Sequence, residues 1–410
     1  MNTYLVGGAV RDKLLGLPVK DRDWVVVGSN PEEMIEKGFT PVGKDFPVFL
    51  HPKTAEEYAL ARTERKTAAG YTGFQFHADS DVTLKEDILR RDLTINALVE
   101  DENGKVIDYV NGLSDIENKI LRHVSPAFKE DPVRILRIAR FAARFATLGF
   151  TVADETMKLM SEMVEEGEVD SLVAERVWQE TVRALAEPSP DIFIEVLREC
   201  GALKVLFPEI DRLFGVPQPV EHHPEIDTGV HTMMVLQQAC ILSEEPVVRF
   251  AALTHDLGKG TTPKDILPHH YDHEERGLHL VKALCERYRI PNQFRQLAEI
   301  TSRYHTHVHR AFEVKANTLL KVLNNTDAFR KPERFEQFLL ACIADSHGRP
   351  GYENYDYQQA PFFSLARKTA ADVDVQNIIK DGFSGEKIKE ELYKRRLNAL
   401  KCLKESVTQP

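Results

Sequence analysis

The chain has 410 residues, 42% of them hydrophobic and 29% charged, with a formal net charge of −11. That length exceeds one ordinary core and predicts about two to four domains, and no run approaches the ~18 apolar residues of a membrane span. The acidic balance excludes blanket binding to nucleic acid, so any RNA contact must come from local basic patches. Residues 1–125 alternate β-rich runs with turns. "TYLVGG", "DWVVVG", "FPVFL", "EEYALAR" and "KVIDYV" read as strands, while "AVRDKLLG" and "LKEDILRRDLTINALVE" read as helices. From "SPAFKEDPVRILRIARFAARFATLGF" onward the pattern is helical. "DETMKLMSEMVEEGEVDSL", "AERVWQETVRALAE" and "DIFIEVLREC" are amphipathic helices between Pro and Gly breaks. "FGVPQPVEHHPEID" at 214–227 is a Pro-rich joint, after which histidine usage jumps, and a polar helical tail follows residue 350. The five cysteines are scattered without a CxxC pair, and "MNTYLVGGAVRD" lacks the basic-then-apolar pattern of a signal peptide. Both predict a cytoplasmic protein with reduced thiols.

The first candidate site lies at "VKDRDWVVVG". In a strand, residues i and i+2 share a face, so Asp21 and Asp23 are expected side by side with Arg22 pointing away. Paired carboxylates on a rigid edge suit a hard divalent cation such as Mg²⁺. Upstream, Gly7 and Gly8 clear side chains from a strand-to-helix turn where a triphosphate can meet backbone N–H groups. Arg11 follows in the first helical turn, ready to pair with phosphate. The turn is neither a Walker A loop nor GxGxxG.

A Gly-Gly turn, a nearby Arg and a DxD strand together resemble the nucleotidyltransferase signature shared with DNA polymerase beta. The resemblance implies two carboxylates holding metals that activate a hydroxyl and stabilise pyrophosphate, with a third carboxylate on a neighbouring strand. Glu57 is the candidate for the third, with Glu56 adjacent. "RRDLTINAL" (90–98) and "EDPVRILRIARF" (130–141) further resemble the motifs of class II tRNA nucleotidyltransferases, the bacterial CCA-adding enzymes and their poly(A) polymerase relatives. That resemblance covers most of residues 1–145. It implies tRNA, CTP and ATP as partners.

A physical reading of the bases agrees with it. Arg134, Arg137, Arg140 and Arg144 recur at helical spacing within roughly a 120° arc, beginning beside Asp131. A carboxylate only accepts hydrogen bonds and a guanidinium only donates them. Cytosine and adenine each offer an amine donor beside a ring-nitrogen acceptor, whereas uracil and guanine reverse the pattern. An Asp131/Arg134 pair would therefore admit C and A. Arg137 and Arg140 would hold the triphosphate or support the pair, Arg91 would contact the nucleotide, and Asp92 would orient arginines or bind the ribose. Arg144, Arg176 and Arg183 are candidate tRNA phosphate contacts.

The second candidate site is the histidine-rich half. His231 in "DTGVHTMMVL", His255 and Asp256 in "FAALTHDLGKG", and Asp345 in "LLACIADSHGRP" fall on separate helices and can converge on a metal. The ordered H…HD…D set resembles the HD superfamily of metal-dependent phosphohydrolases. Imidazole ligands favour Ni²⁺ or another transition metal over Mg²⁺. Lys259 would steady a phosphate, and His270, His273 and His305 would supply a second metal or an acid. The resemblance implies phosphatase, 2′-nucleotidase and 2′,3′-cyclic phosphodiesterase activities.

The expected fold class is α+β. A polymerase-beta-like nucleotidyltransferase head with a mixed β-sheet (1–140) precedes an all-α neck and body (141–220), an HD domain (221–348) and a helical tail (349–410). The leading reading is a CCA-adding enzyme with an HD phosphohydrolase, acting as a monomer or homodimer. An enzyme adding only A, or a poly(A) polymerase relative, is the alternative, and the acidic balance and HD set weigh against the poly(A) polymerase. A catalytically idle RNA-binding or metal-sensing protein conflicts with the intact Asp21, Asp23, His255 and Asp256.

Overall fold

The structure is a computed structural model that describes residues 1–42, 48–66, 74–77, 80–221 and 223–407, with backbone alone for 64–66 and 74–77. The first two residues of the expected "FPVFL" strand and His222 lie outside the described residues. The chain divides into two compact units, Met1–Leu206 and Phe207–Pro410.

The first unit opens on a mixed sheet. Its strands are β1 (Asn2–Val6), β2 (Asp23–Val27), β3 (Thr40–Val42), β4 (Val48–Leu50) and β5 (Glu57–Leu60), with a separate hairpin of β6 (Thr63–Lys66) and β7 (Phe74–His77), then β8 (Val99–Glu100) and β9 (Val106–Ile107). The seven-stranded order is β3-β4-β5-β2-β1-β8-β9. β2 runs antiparallel to β1 and parallel to β5. Both faces of β2 are covered. Val25 packs with Val6, Ile88 and Val99, while Val26 packs with Met34, Phe49 and Leu60 on the other side. This is why "DWVVV" is a continuous apolar run rather than an alternating one.

The stretch "LKEDILRRDLTINALVE", expected as one helix, is not one. A helix spans Leu84–Leu89 behind a Thr83/Glu86 capping box, a 3-10 turn covers Thr94–Asn96, and Val99–Glu100 joins the sheet. The Asp92 carboxylate accepts from the Leu93 N–H at 2.8 Å and competes with helical backbone bonding. Further on, the Val133–Phe145 helix packs against Ala174–Leu185 and Pro190–Glu199. Its buried Ala139, Ala142 and Ala143 permit close approach.

The second unit is helical. Thr228–Leu242, Pro246–Thr254, Asn292–His309 and Pro332–His347 pack together around Leu297, Phe335, Phe338 and Leu339. Gly258 allows the 3-10 turn Leu257–Thr261 to lie on the His273–Arg287 helix, since a Cβ there would collide with the His273 carbonyl. None of the described helices is long and apolar enough to cross a membrane, and all five thiols are free.

Candidate active sites

Asp23 opens β2 and stands in register with Glu57, the first residue of β5. Residues registered on paired strands share a face. Glu56 accepts from the Trp24 indole at 3.0 Å and also borders the cleft that Asp21 and Asp23 line. Asp21 precedes the strand rather than lying in it. It nonetheless lines one cleft of about 520 Å³ with Asp23, Glu57 and Thr54. Arg22, expected to point away, lines the same cleft, because the lead-in is not constrained by strand parity. Partial burial raises the Asp23 carboxyl above its usual range, Arg91 opposes the rise and the like charge of Asp21 adds to it. The donors are all carboxylate oxygens, which fits a hard cation such as Mg²⁺.

The Gly-Gly turn lies between two arginines. Gly7 has φ +67°, and a Cβ there would sit 3.4 Å from Arg91 Nη1; a Cβ on Gly8 would sit 3.4 Å from Arg11 Nη2. Arg11 is 2% exposed, donates to Asp12 at 2.8 Å and to Asn96, and stacks on Phe145. Arg91 is held by Asp87 at 3.1 Å. Asp92 accepts from Arg137 Nε at 2.8 Å and from Asn96 at 3.2 Å, so it orients arginines. Burial raises the Asp92 carboxyl, but the charge and hydrogen bond of Arg137, together with Asn96 and Arg134, outweigh it and hold the group below the usual carboxylate range.

Asp131 and Arg134 flank the start of the Val133–Phe145 helix, where Asp131 accepts from the Val133 N–H at 3.1 Å. Asp131 is gripped by a two-bond fork from Arg176, at 2.9 and 2.7 Å. Arg176, expected to contact tRNA phosphate, is thus engaged within the unit. Arg134 donates to the Ala127 carbonyl at 2.8 Å. Arg140 pairs with Glu180 at 2.7 Å and lies over the Phe141 ring, and Arg144 pairs with Asp12 at 2.8 Å. Arg183 reaches Glu180 at 3.4 Å.

In the second unit, three helix ends and two helix starts converge. His231 lies in the first turn of Thr228–Leu242, His255 caps Pro246–Thr254, His273 starts its helix, and His305 and Asp345 lie in the last turns of theirs. Each histidine anchors its Nδ1 on a backbone carbonyl: His231 on Gly348 at 3.0 Å, His255 on Ala252 at 2.7 Å, His273 on His270 at 2.7 Å and His305 on Thr301 at 2.9 Å. A carbonyl only accepts, so the N–H is fixed at Nδ1 and the Nε2 lone pair is turned inward.

The inward atoms form two triads that share no residue, each with ligand atoms within 4.8 Å of one another: His231, His255 and Asp345, and Asp256, His273 and His305; a third, His223, Glu225 and His231, meets the first at His231. His255 Nε2 lies 3.1 Å from one Asp256 oxygen, and the other lies 3.3 and 3.4 Å from His273 and His305 Nε2. His255 Nε2 and Asp256 Oδ1 are buried without a hydrogen-bond partner. Orphaned atoms of this kind in a His/carboxylate set fit a transition-metal site. The electrostatics agree. Burial lowers the His255 imidazole, but Asp256 and Asp345 outweigh it and raise the group to about 10. Burial raises Asp256, yet Lys259 and His255 bring it well below the usual range.

Two expectations change here. Lys259 Nζ is 2.6 Å from Asp256 and 2.6 Å from Gln218, so it steadies a ligand carboxylate. His270 spends its ring on Thr262 at 2.7 Å and the Pro217 carbonyl at 3.0 Å and stays outside all three triads. Other functional neighbours had no sequence signal beyond their residue type. Glu225 lies 3.0 Å from His231 Nδ1 and 2.8 Å from His223. His309 links Asp345 at 2.7 Å to the Tyr357 hydroxyl at 2.8 Å.

Comparison with known proteins places this geometry. The poly A polymerase head domain model matches residues 3–122, the model "Probable RNA and SrmB- binding site of polymerase A" matches 149–214, and the HD domain model matches 228–345. The multifunctional CCA protein of Thioalkalivibrio sulfidiphilus is 63% identical over 98% of this chain and 99% of its own length, and that of Teredinibacter turnerae is 60% identical over 100% and 99%. A CCA-adding enzyme in apo form aligns with TM-score 0.68 at 20% identity, covering 99% of this chain and 91% of its own. The Thermotoga maritima CCA-adding enzyme complexed with tRNA aligns with TM-score 0.65 at 19% identity over 99% and 91%. A polymerase head at one end, an HD cluster at the other and full-length identity above 60% have one meaning: the chain belongs to the multifunctional CCA protein family.

Proposed function

We propose that this enzyme adds C, C and A to tRNA 3′ ends from CTP and ATP, and that its HD site hydrolyses phosphate esters as a phosphatase, 2′-nucleotidase and 2′,3′-cyclic phosphodiesterase. The observation that carries the reading is the 63% identity spanning both sites. In the head, the tRNA 3′ hydroxyl attacks the α-phosphorus, an O–P bond forms, the bond to pyrophosphate breaks, and the hydroxyl proton passes to water. Asp21 and Asp23, with Glu57, would hold Mg²⁺, which would supply charge stabilisation to the transfer. Gly8, Arg11, Arg91, Arg137 and Arg140 receive the nucleotide. Asp131 and Arg134 read its base edge. The Arg176 fork fixes Asp131 and leaves it further lone pairs for an N4 or N6 amine, and Arg134 retains N–H donors beyond the one given to Ala127.

In the HD site, His231, His255, Asp256 and Asp345 would hold Ni²⁺ or another transition metal, with His273 and His305 around the second Asp256 oxygen. A metal there acts as a Lewis acid on water and phosphate. His309 donates from Nε2 to Asp345 and accepts from Tyr357, which keeps Asp345 aimed. The protein works in the cytoplasm as a monomer or homodimer.

Supplying tRNA without its CCA end, Mg²⁺ and labelled CTP or ATP tests the reading. Ordered addition of two C and one A is expected. Addition of A alone to a tRNA ending in CC, with no C incorporated, supports the A-adding alternative, and no incorporation overturns both.

A further inference from the structure

We propose that the loop following the Pro332–His347 helix is a nucleobase platform, so that the HD site selects phosphorylated nucleosides over phosphate esters lacking a base. The inference rests on the phosphohydrolase reading of that site and adds what sits beside the phosphate.

The HD cleft has a volume of about 440 Å³, in the range of small-ligand pockets rather than of an RNA groove. One side is the ligand cluster, with Asp256, His305 and Asp345. The other is Arg349, Tyr352 and Tyr355. Tyr352 and Tyr355 are 37% and 47% exposed, an unusual cost for two large rings beside a polar cluster. Their centroids are 5.7 Å apart with planes at 61°, and the Arg349 guanidinium lies 4.4 Å over the Tyr352 ring. Arg349 is itself fixed by donation to the Ser346 carbonyl at 3.1 Å and hydroxyl at 3.4 Å.

The platform is also pre-formed. The Tyr352 N–H donates to the Arg349 carbonyl at 2.9 Å, the Tyr355 N–H donates to the Tyr352 carbonyl at 3.0 Å, and His347 binds the Tyr355 carbonyl at 2.9 Å. Ser346 directly follows Asp345, so the same helix end that supplies a metal ligand also anchors the aromatic surface. A base stacks on tyrosine or on a guanidinium plane without regard to its sequence identity, since every base has a π-face. Two aromatic faces set at an angle, with a guanidinium plane on one of them, beside a phosphate-hydrolysing centre fit one nucleoside with its phosphate.

The test compares hydrolysis of adenosine 2′-phosphate and glycerol 2-phosphate by the full-length Ni²⁺-loaded protein. In Tyr355→Ala and Tyr352→Ala, KM for the nucleotide is expected to rise about tenfold while kcat holds within about twofold. Tyr355→Phe should restore KM, because stacking needs the ring and not the hydroxyl. Glycerol 2-phosphate kinetics should not move in any variant. An unchanged nucleotide KM in both alanine variants overturns the platform, as does an equal loss on both esters. Hydrolysis of neither ester by the unsubstituted protein overturns the phosphohydrolase reading and the platform with it.

Discussion

Asp21, Asp23 and Glu57 stand exposed at strand starts, whereas His231, His255, Asp256 and His305 are at most 3% exposed. The second unit closes three triads to within 4.8 Å, and among the described residues no such triad forms around Asp21 and Asp23. The contrast follows from the ligands. Imidazoles can be locked one by one through Nδ1, so a buried site is assembled by the fold. Exposed carboxylates repel, and burying them without a cation is costly. The head therefore presents an open edge suited to a cation that arrives with a nucleotide, and the HD cluster a standing socket.

Substitutions probe that contrast most strongly. Asp21→Ala or Asp23→Ala should lower nucleotide addition about 10³-fold or more and spare ester hydrolysis, and His255→Ala should do the reverse. Loss of both activities from either change, in a folded variant, breaks the two-site picture. Next, a standing socket predicts linkage to stability. Ni²⁺ at about 100 times its Kd should stabilise the metal-stripped protein by about 2.7 kcal/mol, read as a higher Tm, while Mg²⁺ alone gives no comparable shift. An equal Mg²⁺ effect would show that the head edge is also pre-formed.

The head's own order is set by ion pairs, and acid should expose it. Arg137 holds Asp92, and Arg91 with Arg90 holds Asp87, below the usual carboxylate range despite burial. A depressed carboxyl adds stability that is full above its unfolded value near ~3.9 and is lost as pH falls through its folded value. Asp92→Asn is expected to cost about 2 kcal/mol at neutral pH and flatten the acid limb of the stability profile, measured by thermal unfolding across pH. The smallest effect concerns the support of a single imidazole. Glu225→Gln should weaken Ni²⁺ binding about tenfold in calorimetry while leaving CCA addition unchanged. No change would mean that the Gly348 carbonyl alone aims His231.

The readable parts of the sequence were those with a period or a fixed spacing. "DWVVV" reads as a strand because five residues carry its whole logic, and "HDLGKG" marks two members of the buried His/carboxylate cluster because adjacency survives folding. "RRDLTINAL" was misread as helix because Asp92 bonds its own neighbour's backbone, a local competition that apolar periodicity does not register. Arg22 was misassigned for a related reason, since strand parity was extended two residues beyond the strand. The arginine stripe was visible at 134, 137, 140 and 144, but its partners were not. Ala127, Asp92, Glu180 and Asp12 are brought in by tertiary folding. Glu225 and the carbonyls behind the imidazoles lay in loops or backbone, where no residue type announces them.

The pairing of that stripe has a consequence for traffic at the head. Arg137, Arg140 and Arg144 each carry a resident carboxylate, so the row is close to electrically neutral. A bare cationic row would adsorb any polyanion that drifts past, with the steep salt dependence of counter-ion release. A compensated row behaves as an ion exchanger. An incoming triphosphate would have to trade places with carboxylates already in position, and only a ligand that meets several arginines at once would complete the exchange. In a cell crowded with RNA, such a surface discriminates by the arrangement of negative charge rather than by its amount.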